Sequence, residues 1–92
     1  MSEIFREVYD VIEDRRENPR EDSYTSKLLQ HEKGENMVLE KLGEESTEVI
    51  LASKDDEGVV EESADLIYHL FVLLAQNEVE FDELETELEK RR

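Results

Sequence analysis

Residues 59–76, VVEESADLIYHLFVLLAQ, read as a helix that is apolar on nearly every side and polar along one narrow stripe. At about 100° per residue, Glu62, His69, Gln76 and Asp65 fall within about 60° of one another. Leu66, Ile67, Leu70, Phe71, Leu73, Leu74, Ala64 and Ala75 take most of the remaining directions. Such a helix is normally buried, and a buried carboxylate is costly unless paired or bound to a metal. The fold must therefore bring something to meet Glu62 and Asp65. Upstream, Glu45-x-x-Glu48 repeats the spacing of Glu62-x-x-Asp65, and a cluster of four carboxylates is the natural reading.

The rest of the chain says what kind of scaffold holds that helix. Ninety-two residues make one domain (1–92), and a chain this short buries only about 60–65% of its unfolded surface. There is no cysteine, so neither disulfides nor a thiolate metal site supplement the core. Self-association is the remaining route, and at least a dimer is expected. Ser2 is placed to cap a first helix from Glu3 to about Glu17, with Ile4, Phe5, Val8, Val11 and Ile12 as its apolar stripe. Asn18-Pro19 ends it. Ser23 caps a second helix, Tyr24 to about Lys33, stopped by Gly34. Asn36 caps a third, Met37 to about Ser53, and residues 54–58 form a turn. The fourth helix fills about Val59–Asn77; a fifth, about Phe81–Lys90, carries Leu84 and Leu88 on one side. Alternating strand patterns are absent. The expected architecture is an all-α bundle of four to five helices with short connections, hence antiparallel neighbours, completed by homo-oligomerisation.

Charge and hydropathy exclude several functions. The net charge is −16, from 27 acidic and 11 basic residues, and no basic stripe exists to meet nucleic-acid phosphates. Disorder would suit the charge, but the helical periodicity argues against it. A surface adapted to high salt suits it better, since dense carboxylates keep a protein soluble while salt screens their repulsion; the scarcity of lysine agrees. Leu66–Ala75 falls well short of a roughly 20-residue membrane span. The N-terminus MSEIFREVYD is acidic and amphipathic rather than a secretory signal. A cytoplasmic location is expected.

The third helix gathers Val38, Leu42, Val49 and Ala52 in one sector, with Glu45 projecting into it and Glu48 and Lys41 flanking. A short turn makes helices three and four antiparallel, so Glu45 and Glu48 can face Glu62 and Asp65. Four carboxylates in one pocket repel strongly, and a divalent cation resolves the conflict. The all-oxygen set suits Mg2+, or Mn2+, better than Zn2+. Such a cation with an activated water points to phosphoanhydride hydrolysis. Chance is a strong explanation for a lone E-x-x-E in a chain where Glu83, Glu85, Glu87 and Glu89 crowd one helix. It is weaker for Glu45 and Glu62, which lie on apolar faces. A di-iron bundle would need Glu-x-x-His, but Leu66 and Leu28 stand three residues before His69 and His31.

Glu45-Ser-Thr-Glu48 followed by Glu62-Ser-Ala-Asp65 resembles the E-x-x-E, spacer, E-x-x-D signature of the MazG-like all-α nucleotide pyrophosphohydrolases. Ser23-Tyr24-Thr25-Ser26-Lys27-Leu28, Lys41-Leu42-Gly43-Glu44-Glu45 and Tyr68-His69 narrow the resemblance to the phosphoribosyl-ATP pyrophosphohydrolase family of histidine biosynthesis. The likeness runs from the first helix to the terminal EKRR. It implies cleavage of the α–β phosphoanhydride of phosphoribosyl-ATP, giving phosphoribosyl-AMP and pyrophosphate. It also implies Mg2+ dependence and a homodimer or dimer of dimers. By position, Glu45, Glu48, Glu62 and Asp65 become the metal ligands and Glu44 a further candidate for metal or water positioning, so Glu44 and Glu45 are the catalytic candidates. Family members often carry extra basic residues before the G-E-E segment; here Met37 and Glu40 stand there, leaving Lys41 alone.

Lys27 and Lys41 are the best phosphate partners in so acidic a chain, against simple helix-surface solvation. Arg15 can reach the site from helix one or pair with nearby acids. Ser23 is first an N-cap, with a phosphate role additional; Tyr24 stacks on a base or packs. His69, in the polar stripe, donates to substrate or orients Asp65, against a plain buried structural histidine. Tyr68 reads as interface packing, and His31 has no chemical role. There is no Walker-type loop and no nucleophile–base pair for covalent catalysis, so water is the expected attacking group. Two rival readings are a MazG-like enzyme for noncanonical nucleoside triphosphates and an acidic helical dimerisation module without activity.

Overall fold

The structure is a computed structural model that describes residues 3–92; the expected Ser2 cap lies outside the described residues. Among these residues there are five helices and no strands: α1 (Glu3–Glu17), α2 (Tyr24–Leu29), α3 (Glu35–Asp55), α4 (Val59–Gln76) and α5 (Phe81–Arg91). The all-α expectation is met. α1 stops where Asn18-Pro19 requires, with the Asn18 amide donating to the Asp14 carboxylate at 3.1 Å.

Two boundaries differ from the sequence expectation. α2 ends at Leu29 rather than near Lys33, because the His31 ring nitrogen Nδ1 accepts the Lys33 N–H at 3.0 Å and draws the chain into a turn. α3 begins at Glu35 with Gly34 as its cap and no capping side chain. Asn36 therefore lies inside the first turn instead of capping it. At the other end α3 continues through Asp55, and Asp56 takes a left-handed φ of 58°, a conformation Asp tolerates. The Glu57 N–H then closes on the Ala52 carbonyl at 3.1 Å.

α3 and α4 make the most extensive helix pair. Their register is antiparallel: Glu35 pairs with Asn77, Glu45 with His69 and Glu48 with Glu62, rising numbers on one helix matching falling numbers on the other. The core joins Tyr9 and Ile12 of α1, Val38 of α3, Phe71, Val72 and Ala75 of α4, and Phe81 of α5. Tyr9, Phe71 and Phe81 meet with ring centroids 5.3–5.8 Å apart, a geometry that adds to area burial. The Tyr9 hydroxyl donates to the Val79 carbonyl at 2.6 Å. Burial, then the acids Glu13 and Glu80, raise that phenol to about 12.

The apolar stripe expected on α1 is only partly core. Ile12 is buried and Val8 packs against the core, but Ile4, Phe5 and Val11 remain 57%, 44% and 50% exposed. Tyr9, which the stripe omitted, is buried instead. On α4, Ile67 and Leu70 are also exposed. A groove of about 440 Å³ runs between the two helices, walled by Ile4, Phe5, Ala64, Ile67, Tyr68 and Phe71. Among the described residues no helix is long and apolar enough to cross a membrane.

Candidate active site

The α3–α4 register sets which acids meet. Nearest the connecting loop, Glu48 faces Glu62. The Glu62 carboxyl is held above the usual carboxylate range, first by a hydrogen bond shared with Glu48, then by burial, then by the charges of Glu48, Asp65 and Glu45. Deeper in the seam, the Glu45 side chain is only 12% exposed. Burial raises its carboxyl, His69 opposes the rise, and Asp65 and Glu48 add to it. Glu48 and Asp65 are themselves exposed residues, yet both act on Glu45 and Glu62. All four acids therefore share one electrostatic field.

Glu45 Oε1 and Glu62 Oε2 are buried and have no aligned N–H or O–H donor. Glu45 Oε1 does approach His69 Nδ1 to 2.5 Å, but Nδ1 also lies 3.0 Å from the Asp65 carbonyl in hydrogen-bond alignment. The other ring nitrogen, Nε2, is 3.0 Å from the Tyr24 hydroxyl. Burial raises the Tyr24 phenol; Lys41 opposes, while Glu45, Asp65 and Glu44 reinforce the rise. On α3, Lys41 stands about one turn before Glu45, and Glu44 immediately precedes it.

An all-oxygen donor set with two undonated buried oxygens fits a hard divalent cation. The cage is not pre-formed, however: among the described residues no three histidines or acids already converge at ligand spacing.

The remaining candidates divide. Lys41 is half-buried, and among the described residues neither Lys41 nor Lys27 enters an ion pair. Lys27 lines a separate groove with Pro19, Arg20 and Gln30. Arg15 pairs with Asp14 at 2.5 Å and shares a cleft of about 300 Å³ with Arg20, Ser23 and Thr25. Ser23 caps α2 as expected, its hydroxyl accepting the Ser26 N–H at 3.1 Å. The structure thus gathers Glu44, Glu45, Glu48, Glu62, Asp65, Tyr24, His69 and Lys41, and leaves Arg15, Ser23 and Lys27 in neighbouring clefts.

Sequence reasoning missed the two residues that fasten α2. Thr25 is buried with its hydroxyl on the Tyr68 hydroxyl. Ser26 is 2% exposed, donating to the Arg15 carbonyl at 3.3 Å and accepting the Arg20 N–H at 3.0 Å. The signal lay in the S-Y-T-S run, whose hydroxyls exceed what one N-cap needs. Tyr68, read as interface packing, is half-buried and stacks on Tyr24 at 6.3 Å.

Comparison with known proteins identifies the chain's relatives. The family model described as phosphoribosyl-ATP pyrophosphohydrolase matches residues 5–92. A phosphoribosyl-ATP pyrophosphatase of Haloarcula marismortui is 59% identical over 92 residues, covering 98% of this chain and 94% of that protein. One of Haloquadratum walsbyi is 57% identical over 96% of this chain and 90% of its own length. One of Methanocella arvoryzae is 49% identical over 100% of this chain and 99% of its own. The match spans nearly the whole chain, and the chain belongs to the phosphoribosyl-ATP pyrophosphohydrolase family.

Proposed function

We propose that this chain hydrolyses phosphoribosyl-ATP to phosphoribosyl-AMP and pyrophosphate by attack of water, and that Glu45, Glu48, Glu62 and Asp65 would hold a divalent cation beside the reacting phosphates. The reaction itself follows from family membership over nearly the whole length. The cation assignment is supported by one observation above others: four acids from α3 and α4 share a field in which Glu45 and Glu62 are both raised and two buried oxygens lack donors. Mg2+ is the expected ion, with Mn2+ an acceptable substitute. When bound, it would lower the pKa of a coordinated water and offset phosphate charge.

The chain's own residues do the rest. Glu44, exposed one residue before Glu45, is positioned to accept a proton from, and orient, the attacking water. Lys41, free of acid partners among the described residues, meets the triphosphate. Arg15 and Ser23, together in their cleft, suit an outlying phosphate of the same substrate, and Lys27 flanks α2. The apolar groove between α1 and α4 is covered by a second copy of the chain, giving a homodimer or a dimer of dimers.

Pyrophosphate release from phosphoribosyl-ATP should require Mg2+ and fall in Glu45→Gln by more than the ~10–100-fold that changes outside the ligand shell cost. Unchanged turnover in that variant would defeat the cation assignment. A clear preference for dUTP or dITP over phosphoribosyl-ATP would overturn the substrate.

A further inference from the structure

His69 is 5% exposed in the wall between α2, α3 and α4, and its ring is engaged at both nitrogens. Nδ1 faces two oxygen acceptors, the Asp65 carbonyl at 3.0 Å and Glu45 Oε1 at 2.5 Å. A carbonyl can only accept, so the ring proton belongs on Nδ1. Nε2 is left to accept, and the Tyr24 hydroxyl at 3.0 Å donates to it. A plain buried histidine would be satisfied by Tyr24 and its own helix carbonyl. The third contact, to a buried carboxylate oxygen with no aligned donor, has no such explanation.

Tyr24 is in turn held in place. Its ring meets His69 edge-on, with centroids 5.9 Å apart at 88°, and stacks on Tyr68. The next residue, Thr25, joins its hydroxyl to Tyr68, so successive residues of α2 clasp successive residues of α4. Ser26 fixes the same short helix to α1. The phenol thus reaches Nε2 from a fastened element.

We infer that Tyr24 and His69 form a hydrogen-bonded relay that orients the Glu45 carboxylate, making both positioning residues for the acid cluster rather than groups that touch substrate. The phenol and the Asp65 carbonyl hold the imidazole in place, and the imidazole holds the carboxylate, as outer-shell partners do around ligand residues. The relay rests on the two hydrogen bonds of the imidazole and the close approach of Nδ1 to Glu45 Oε1; only its consequence for cation binding rests on the proposed role of Glu45.

Nitrogen NMR of the imidazole tests the relay with no metal present. Wild-type protein should show His69 as the Nδ1–H tautomer, with the Nε2 resonance moved by loss of the phenol in Tyr24→Phe and the Nδ1 resonance moved by loss of the carboxylate in Glu45→Gln. A wild-type Nε2–H tautomer, an Nε2 resonance unchanged in Tyr24→Phe, or an Nδ1 resonance unchanged in Glu45→Gln overturns the relay. Mn2+ titration without substrate tests the consequence: affinity should fall ~10–100-fold in His69→Leu, less in His69→Asn, whose amide can donate from near the Nδ1 position. Equal affinity in wild type and all variants overturns the positioning role. No Mn2+ binding by wild type overturns the proposed cation site, and the relay then stands or falls on the NMR tautomer. In turnover, Tyr24→Phe should lower kcat with KM within ~2-fold of wild type. A raised KM at unchanged kcat would mark a substrate contact instead. Far-UV circular dichroism confirms that each variant folds.

Discussion

Glu45 and Glu62 hold protons more tightly in the folded chain than ordinary carboxyls do, which links stability to pH. A carboxyl raised above its usual value of 4.5 stabilises the fold fully below that value. The contribution is lost as pH rises through the folded value, because the folded state binds more protons than the unfolded one. Without divalent cation, thermal stability should therefore decline as pH climbs from 4.5 through the raised values. A cation that takes the place of those protons should reverse the decline. The rise in Tm on adding Mg2+ is expected to be larger at neutral pH than near 4.5, and an equal rise at both would argue that Mg2+ acts elsewhere. These two acids were legible in the sequence because each sits on the apolar face of its helix. The His69 environment was not: Tyr24 lies 45 residues away in the chain, and a helical projection carries no information on what faces a side chain.

Among the elements, helices were easy to read and their ends harder. Ser23 before an apolar turn announced an N-cap, and the cap is there; Ser23→Ala should cost ~1 kcal/mol in urea unfolding. The start of α3 was misread because Asn36 has the better capping side chain, whereas Gly34 has the better backbone, with φ of 59°. α5 shows a capping device made of two acids: the Glu80 N–H donates to the Glu83 carboxylate at 2.7 Å. The connection before it is fastened through Tyr9. Tyr9→Phe removes the donor to the Val79 carbonyl and should destabilise by ~1 kcal/mol. An unchanged urea midpoint would show that water replaces the phenol there.

For the molecule as a whole, the apolar surface includes a groove between two helices. Ile4, Phe5, Val11, Ile67 and Leu70 are exposed on the two helices that wall the groove, and Leu39, Ile50, Leu51 and Val60 are exposed outside it. An apolar patch rimmed by charge is where association is expected. Phe5→Glu combined with Ile67→Glu should convert the proposed dimer to a monomer by light scattering, with helicity retained; a wild-type monomer at micromolar concentration would remove the proposal. The net charge of −16 makes a second expectation. Raising KCl from ~0.1 M to ~2 M shortens the screening length severalfold, and Tm should rise accordingly.

Periodicity is a local property, so the chain alone disclosed five helices, the antiparallel order of α3 and α4, and two acid pairs expected to face each other. Family membership was equally legible, since short motifs carry it. Coverage is not local. Whether Ile4 or Tyr9 enters the core depends on where α4 and α5 come to rest, and that follows from packing between residues more than sixty positions apart. Only the assembled helices revealed that α2, too short to be stable alone, is clasped to α4 through Tyr24 and Thr25 and presents its phenol to the histidine behind the acids.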